Sequence, residues 1–317
     1  MIKRLLIASS AFALLACGGE NAGEPEARDA AAAEAGDAAE ADAAAAAEET
    51  ADAAPATNAA LDAALAAQPD EAKARYGARH PKETLEFFGV EPGMTVVEVL
   101  PGGGWYSKIL IPYLGDDGTL VGADYAVDMW RLFGGRFSTE EAIAAKQTWT
   151  TDWPAQAAEW GEGADVKAFQ FESLPADMEG AADVILFVRA MHHLNRFQEE
   201  GGHLEAALAD AYAVLKPGGV VGVVQHRGPE ENDDKWAEGD NGYLKQSQVV
   251  AAVEGAGFEF VEASEINANP KDQPTNEDVV WRLPPALGTS GDDEEKKAEM
   301  TAIGESDRMT LMFRKPA

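Results

Sequence analysis

The chain is poor in cysteine and in positive charge. It has one cysteine, Cys17, in 317 residues. That excludes an internal disulfide framework and a zinc site built on cysteine pairs. It also leaves no thiol nucleophile beyond residue 17. Lys and Arg total 25 against 56 Asp and Glu, for a formal net charge of −31. A nucleic-acid binder needs clustered Lys and Arg to displace counterions from phosphates, and the sequence shows no such cluster. Nucleic acid is therefore not an expected partner. The five histidines are isolated or adjacent, never at i, i+4, so no metal site is expected. The apolar run Leu5 to Leu15 is too short to span a membrane as a helix.

That run has features of its own. Lys3 and Arg4 precede it, and Leu14-Leu15-Ala16-Cys17-Gly18 closes it. The pattern is similar to a bacterial lipobox. The resemblance implies a signal peptide over residues 1–16 and acylation of Cys17. Gly18 in place of Asp then implies the outer membrane. The expected location is exported, lipid-anchored in the periplasm, with the bilayer as partner through acylated Cys17. Two or more acyl chains give stable anchoring where one is marginal. Residues 17–60 are nearly all Ala, Glu and Asp, with no large side chains to offset ordering entropy. They read as a tether, which as a coil would span about 35 Å.

From Leu61 the pattern changes, and residues 61–317 read as one domain. Helices are expected over Leu61 to Tyr76 and Lys82 to Phe88. Met94 to Leu100 is β-branched and nearly all apolar, as a buried parallel strand should be. Pro101-Gly102-Gly103-Gly104 follows, then a helix from Trp105 to Leu114. Further strands are expected at Thr119 to Ala123, Val166 to Phe171, Ala182 to Val188, Val220 to Gln225, Phe258 to Ala263 and Met309 to Phe313. Helical stretches lie between them: Ala126 to Trp160, broken near Gly134-Gly135, then His203 to Leu215 and Gln246 to Ala256. Alternating strands and helices favour an α/β fold with a mostly parallel sheet. Two insertions, 228–243 and 267–305, could cover a site; the first looks acidic and mobile.

A glycine-rich turn between a strand and a helix binds polar or anionic nucleotide groups, because glycine admits close approach and the helix start offers free N–H groups. Here Glu98 sits inside the strand, Asp124 ends the next one, and Ser107 stands where a dinucleotide fingerprint has its third glycine. Val97-Glu98-Val99-Leu100-Pro101-Gly102-Gly103-Gly104 resembles motif I of class I S-adenosylmethionine-dependent methyltransferases. Leu215-Lys216-Pro217-Gly218-Gly219 before the fifth strand and the lone final strand are also similar to that family. The chain further resembles a group of exported bacterial proteins described as predicted methyltransferases. The matching stretches are Arg79-His80-Pro81, Phe87-Phe88-Gly89-Val90, Pro101 to Tyr106, His226-Arg227, Asn269-Pro270, Trp281-Arg282-Leu283-Pro284-Pro285 and Ser306-Asp307-Arg308-Met309. One departure is Leu100, where the motif usually has its first glycine.

The resemblance implies a Rossmann-like class I methyltransferase fold: a mostly parallel seven-stranded sheet with an antiparallel last strand and helices on both faces. It implies S-adenosyl-L-methionine as cofactor, held by Glu98, Gly102, Gly103, Gly104, Asp124, Glu172, Ser173 and Leu174. Methyl transfer needs orientation and sometimes a base. His192, His193 and His226, at strand ends, are the expected catalytic groups. Tyr106, Asn195 and Arg282 are expected to contact a small-molecule substrate. Trp105 and His80 read as structural, and His203 as a helix-surface residue. Two other functions stay open: a non-catalytic ligand-binding lipoprotein, and a nicotinamide-dependent oxidoreductase, which Ser107 and the final strand disfavour.

Overall fold

The computed structural model describes residues 54–317. The expected signal peptide, Cys17 and most of the tether lie outside the described residues. The first helix, α1, begins at Ala54, inside the segment read as tether, and runs to Ala66. The single helix expected to Tyr76 is broken instead, because Pro69 has no N–H to give and disfavours helix in the residue before it. Two short helices follow, α2 (Asp70–Lys73) and α3 (Tyr76–Arg79), and then α4 (Pro81–Phe87).

The strands lie close to where the apolar runs place them: β1 Thr95–Val99, β2 Thr119–Asp124, β3 Asp165–Gln170, β4 Ala182–Val188 and β5 Leu215–Gly228. β6 is a two-residue strand, Leu244–Lys245; β7 is Glu259–Ser264 and β8 Arg308–Arg314. The main sheet has the order β3-β2-β1-β4-β5-β8-β7, and β6 pairs only with the end of β5. β1 to β5 are parallel to one another, while β8 runs antiparallel to both β5 and β7. This is the Rossmann-like class I methyltransferase architecture expected from the sequence, with the reversed last strand slotted between β5 and β7.

Alternation along the strands makes two cores. Val97, Val99, Ile185, Phe187, Val221, Val223, Leu311 and Phe313 face one side of the sheet. There they meet α9 (Met191–Arg196), α11 (His203–Val214) and α12 (Gln246–Gly255), while the one-turn α10 (Gln198–Gly201) links the first two without burying a residue. The long helical region expected over Ala126 to Trp160 is three helices, two of which, α6 (Val127–Leu132) and α7 (Glu140–Gln147), also cover this side. The third, α8 (Trp149–Ala157), packs on the other side with α1, α4 and α5 (Ser107–Leu114), over Val96, Leu120, Val184 and Leu186. α13 (Glu294–Ile303) precedes β8. Among the described residues no helix is long and apolar enough to cross a membrane.

Leu186 is 1% exposed at the centre of β4, whereas Leu132 at the end of α6 is 40% exposed. Leu186→Ala should lower unfolding free energy by about 2–5 kcal/mol in urea titrations. Leu132→Ala should change it by under about 0.5 kcal/mol.

Candidate functional site

Strands buried on both faces show side chains only at their tips. The tips of β1, β2, β4 and β5 share the carboxyl edge of the sheet, and most of the expected residues lie there. At the end of β1 the backbone turns sharply. Leu100 takes φ +51°, and Gly102 and Gly104 take φ +56° and +77°. Leu100 thus stands in the left-handed conformation that a glycine would adopt freely, at a cost of roughly 1–2 kcal/mol for an L-residue. Its side chain packs against the core on the α6 side. Gly102 and Gly103 leave open space where a Cβ would stand. Gly104 does not. A Cβ there would meet the Trp160 ring within hard-contact distance, so Gly104 seats a tryptophan rather than facing a ligand.

Glu98 is 4% exposed and points to the α5 side, where Ser107 Oγ donates to its Oε2 at 2.5 Å. Burial raises its carboxyl to about 8, with the Ser107 hydrogen bond pulling the other way. Asp124 is 1% exposed. Its Oδ1 accepts from the Tyr125 N–H at 2.9 Å and its Oδ2 from Lys146 Nζ at 2.8 Å. Burial pushes this carboxyl up and Lys146 pulls it down. Lys146 comes from α7 and also lies over the Trp130 ring, 3.6 Å from its centroid. The sequence pattern did not single it out.

The three histidines form one group. The rings of His192 and His193 are 4.0 Å apart between centroids, and those of His192 and His226 are 5.5 Å apart. His192 Nδ1 is 3.3 Å from Gln225 Oε1, His193 Nδ1 is 3.2 Å from the Tyr125 hydroxyl, and His226 Nδ1 is 2.5 Å from Ser306 Oγ. Burial holds His193 down to about 4 and keeps His192 and His226 well below 6.5. All three are neutral imidazoles at pH 7, able to accept a hydrogen bond. Tyr106 is buried beside Trp105, with ring centroids 4.8 Å apart.

The insertion 228–243 is not loose. Trp236 and Tyr243 stack at 5.1 Å and bury with Ala237 and Val280 of the second insertion. Gly239, at φ +108°, passes so close to the His192 carbonyl that no side chain would fit. Both insertions therefore cap the histidines.

Several expected roles need correction. Asn195 Nδ2 donates to Glu238 O at 2.8 Å, so it ties the cap down rather than reaching a substrate. Arg282 is buried and its Nη2 is held by Asp272 Oδ1 at 2.7 Å. Asp272 also accepts from the Tyr243 hydroxyl at 3.0 Å, which makes Arg282 a strut of the cap. Glu172 turns to His203, 2.8 Å from its Nδ1, instead of bracketing a ligand. His203 is accordingly 6% exposed, not a helix-surface residue. Ser173 and Leu174 stay at the tip of β3, where Leu174 packs against the core.

A cavity of about 770 Å³ opens elsewhere, between the end of β5 and α12, lined by Arg227, Gln246, Ser247 and Asp272 among others. It includes none of the groups at the tips of β1 and β2.

No protein-family model matches the chain, and no curated protein matches it in sequence. Solved structures do match. A SAM-dependent methyltransferase from Aquifex aeolicus is 18% identical over 63% of this chain and 93% of its own, with TM-score 0.40. An arsenic(III) S-adenosylmethionine methyltransferase from Chlamydomonas reinhardtii is 16% identical over 81% of this chain and 73% of its own, with TM-score 0.40. The cyclase SpnF is 15% identical over 76% of this chain and 81% of its own, with TM-score 0.42. These likenesses reach no further than the fold.

The buried groups set opposite pH limits on stability. Folded Glu98 stays protonated up to about 8, while its ordinary value is 4.5. Its contribution is complete below pH 4.5 and is lost as pH rises to 8. The histidines act in reverse. The unfolded chain takes up protons below 6.5 that the folded one refuses, so stability falls as pH drops from 6.5. Urea midpoints measured against pH should show Glu98→Gln flattening the alkaline limb. His193→Gln should reduce the acid-limb slope by about one proton.

Proposed function

We propose that the chain is an S-adenosylmethionine-dependent methyltransferase acting on a small molecule or an envelope component. We further propose that it is exported and held at the membrane through acylated Cys17. The observation that carries the enzymatic reading is the sheet. The antiparallel β8 lies between β5 and β7, and acids stand on two adjacent strands, Glu98 in β1 and Asp124 in β2, beside the glycine turn. The reversed strand and Ser107 in place of a third glycine weigh against a nicotinamide-dependent oxidoreductase.

The residues present fit the cofactor. Gly102 and Gly103 keep the space above the turn free of side chains. Asp124 has the lone pairs to take two ribose hydroxyls once Lys146 swings away, and the lysine side chain, 23% exposed, already reaches solvent. Glu98, neutral at pH 7, can share its proton with a polar group at the turn. When bound, the cofactor supplies an electrophilic methyl on a sulfonium. The chain's own part is to hold the acceptor in line and keep water out under the cap. A neutral histidine of the group at the tips of β4 and β5 orients the acceptor by accepting a hydrogen bond from its hydroxyl or amine.

One observation favours a second reading, a ligand-binding lipoprotein without chemistry. Asp124, the acid that would read the ribose, is already paired and only 1% exposed.

Calorimetric titration of the full chain with S-adenosylhomocysteine separates the two. Micromolar binding, weakened at least tenfold (about 1.4 kcal/mol) by Asp124→Asn, is the expected result. A folded chain that binds none at millimolar ligand would sink the enzymatic reading and leave the second.

A further inference from the structure

Four arginines meet beside the histidines, in a chain whose net charge is −31. Arg75 immediately precedes α3 and Arg79 ends it, Arg189 follows β4, and Arg308 opens β8. One carboxylate serves three of them. Glu305 lies 2.6 Å from Arg75 Nη2, 3.2 Å from Arg79 Nε and 3.4 Å from Arg308 Nη1. Arg79 also covers the Trp105 ring at 4.7 Å, and Arg308 donates to Ala78 O at 2.6 Å and Ser306 O at 3.2 Å. Four cations less one anion leave three positive charges in this corner.

Arg189 is the unsatisfied member. Among the described residues no carboxylate, carbonyl or aromatic face takes its guanidinium. Its one hydrogen bond is made by the backbone N–H, to Val224 O at 2.7 Å. Other arginines withdrawn from the surface have acid partners: Arg227 holds Glu265 and Asp307, and Arg282 holds Asp272. Arg189 also carries backbone strain, with φ +56° at a non-glycine position. Burial and then Arg308 push its guanidinium down to about 10, so the folded chain holds this charge at a cost. An unpaired guanidinium that is part-buried beside three other arginines, on a strained residue, is poised to take an anion from outside the chain.

The position narrows the ligand. The Arg189 N–H meets Val224 O at 2.7 Å, two residues before His226 on β5, and His192 follows Arg189 by three residues, so the guanidinium rises from the strand tips that carry both histidines. It stands on β4, across β1 from β2 and the Asp124–Lys146 pair. We infer that Arg189 binds an oxyanion of the methyl acceptor, a carboxylate or phosphate group, beside the His192–His226 pair. A guanidinium presents a planar fork that matches both groups in two-point geometry. This deepens the methyltransferase reading and rests on it for the word acceptor, but the anion site itself does not.

The test uses the full chain and three probes: inorganic phosphate, malonate, and chloride at matched ionic strength. Thermal unfolding and calorimetry are read for wild type, Arg189→Gln, and Arg189→Asn, whose side chain tolerates the left-handed backbone. Phosphate or malonate should bind wild type saturably and raise its unfolding temperature, while chloride does not. Both variants should stay folded, lose at least tenfold in anion affinity, and bind S-adenosylhomocysteine as wild type does. The anion that binds tells a phosphorylated acceptor from a carboxylic one. Equal anion affinity in wild type and variants, or no anion binding at all, would overturn the inference. So would competition between phosphate and S-adenosylhomocysteine with both lost in the variants, because Arg189 would then serve the cofactor's own carboxylate. Anion binding at Arg189 without any S-adenosylhomocysteine binding would keep the site and sink the methyltransferase reading alone.

Discussion

Charges buried at the edge of a two-sided sheet must be matched in place, and that requirement ties this molecule together. A lone buried charge is expensive, so each ionisable group at the strand tips needs a partner from a neighbouring element. Glu98 of β1 is held by Ser107 of α5, and Asp124 of β2 by Lys146 of α7. Glu305 joins the segment before β8 to α3. Asp272 ties the second insertion to itself through Arg282 and to the first through Tyr243. Each pair fixes a piece of chain that its own backbone hydrogen bonds would leave free.

The same pairing decides what could be read from the sequence. Strands buried on both faces are runs of β-branched and apolar residues, so β1, β2 and β4 are legible within a residue at their starts, whereas β5 begins at Leu215, ahead of the expected Val220. Glu98 and Asp124 are legible because an acid in such a run has to be accommodated. Partners are another matter. Lys146 lies 22 residues from Asp124, in a helix whose pattern reports only a solvated face. His203 and Glu172 are 31 residues apart, so a histidine opening a helix looked exposed. Arg282 looked free for a substrate because its partner, Asp272, sits in a stretch without periodicity. Periodicity tells which face of an element is buried. It does not tell which of two polar groups will meet across a turn of chain.

Net charge is misleading in the same way. Summed over the chain, the acidity argues against a polyanionic partner such as nucleic acid. Exposed charges farther apart than about 8 Å are screened at physiological salt, whereas enclosed ones are screened much less. The acidic surface therefore does little to offset the four arginines gathered around Glu305. They are scattered over positions 75 to 308 in sequence and come together only because β8 is reversed and lies beside β5. Two stretches that matched the exported group without an evident role, Arg79-His80-Pro81 and Ser306-Asp307-Arg308-Met309, supply half of that cluster and the Ser306 contact to His226.

The Asp124–Lys146 pair sets what a ligand of the glycine turn has to bring. A charge-assisted hydrogen bond is roughly twice as strong as a neutral one. A ribose diol competing for Asp124 exchanges one ionic partner for two neutral ones, which is near balance. Lys146 regains hydration when it leaves, but it gives up the Trp130 face at 3.6 Å. The diol alone therefore provides little net binding. The rest has to come from the base, from the open space at Gly102 and Gly103, and from polar groups near Glu98. A fragment that offered only a diol would leave the lysine where it is. A ligand that filled the whole edge would displace it.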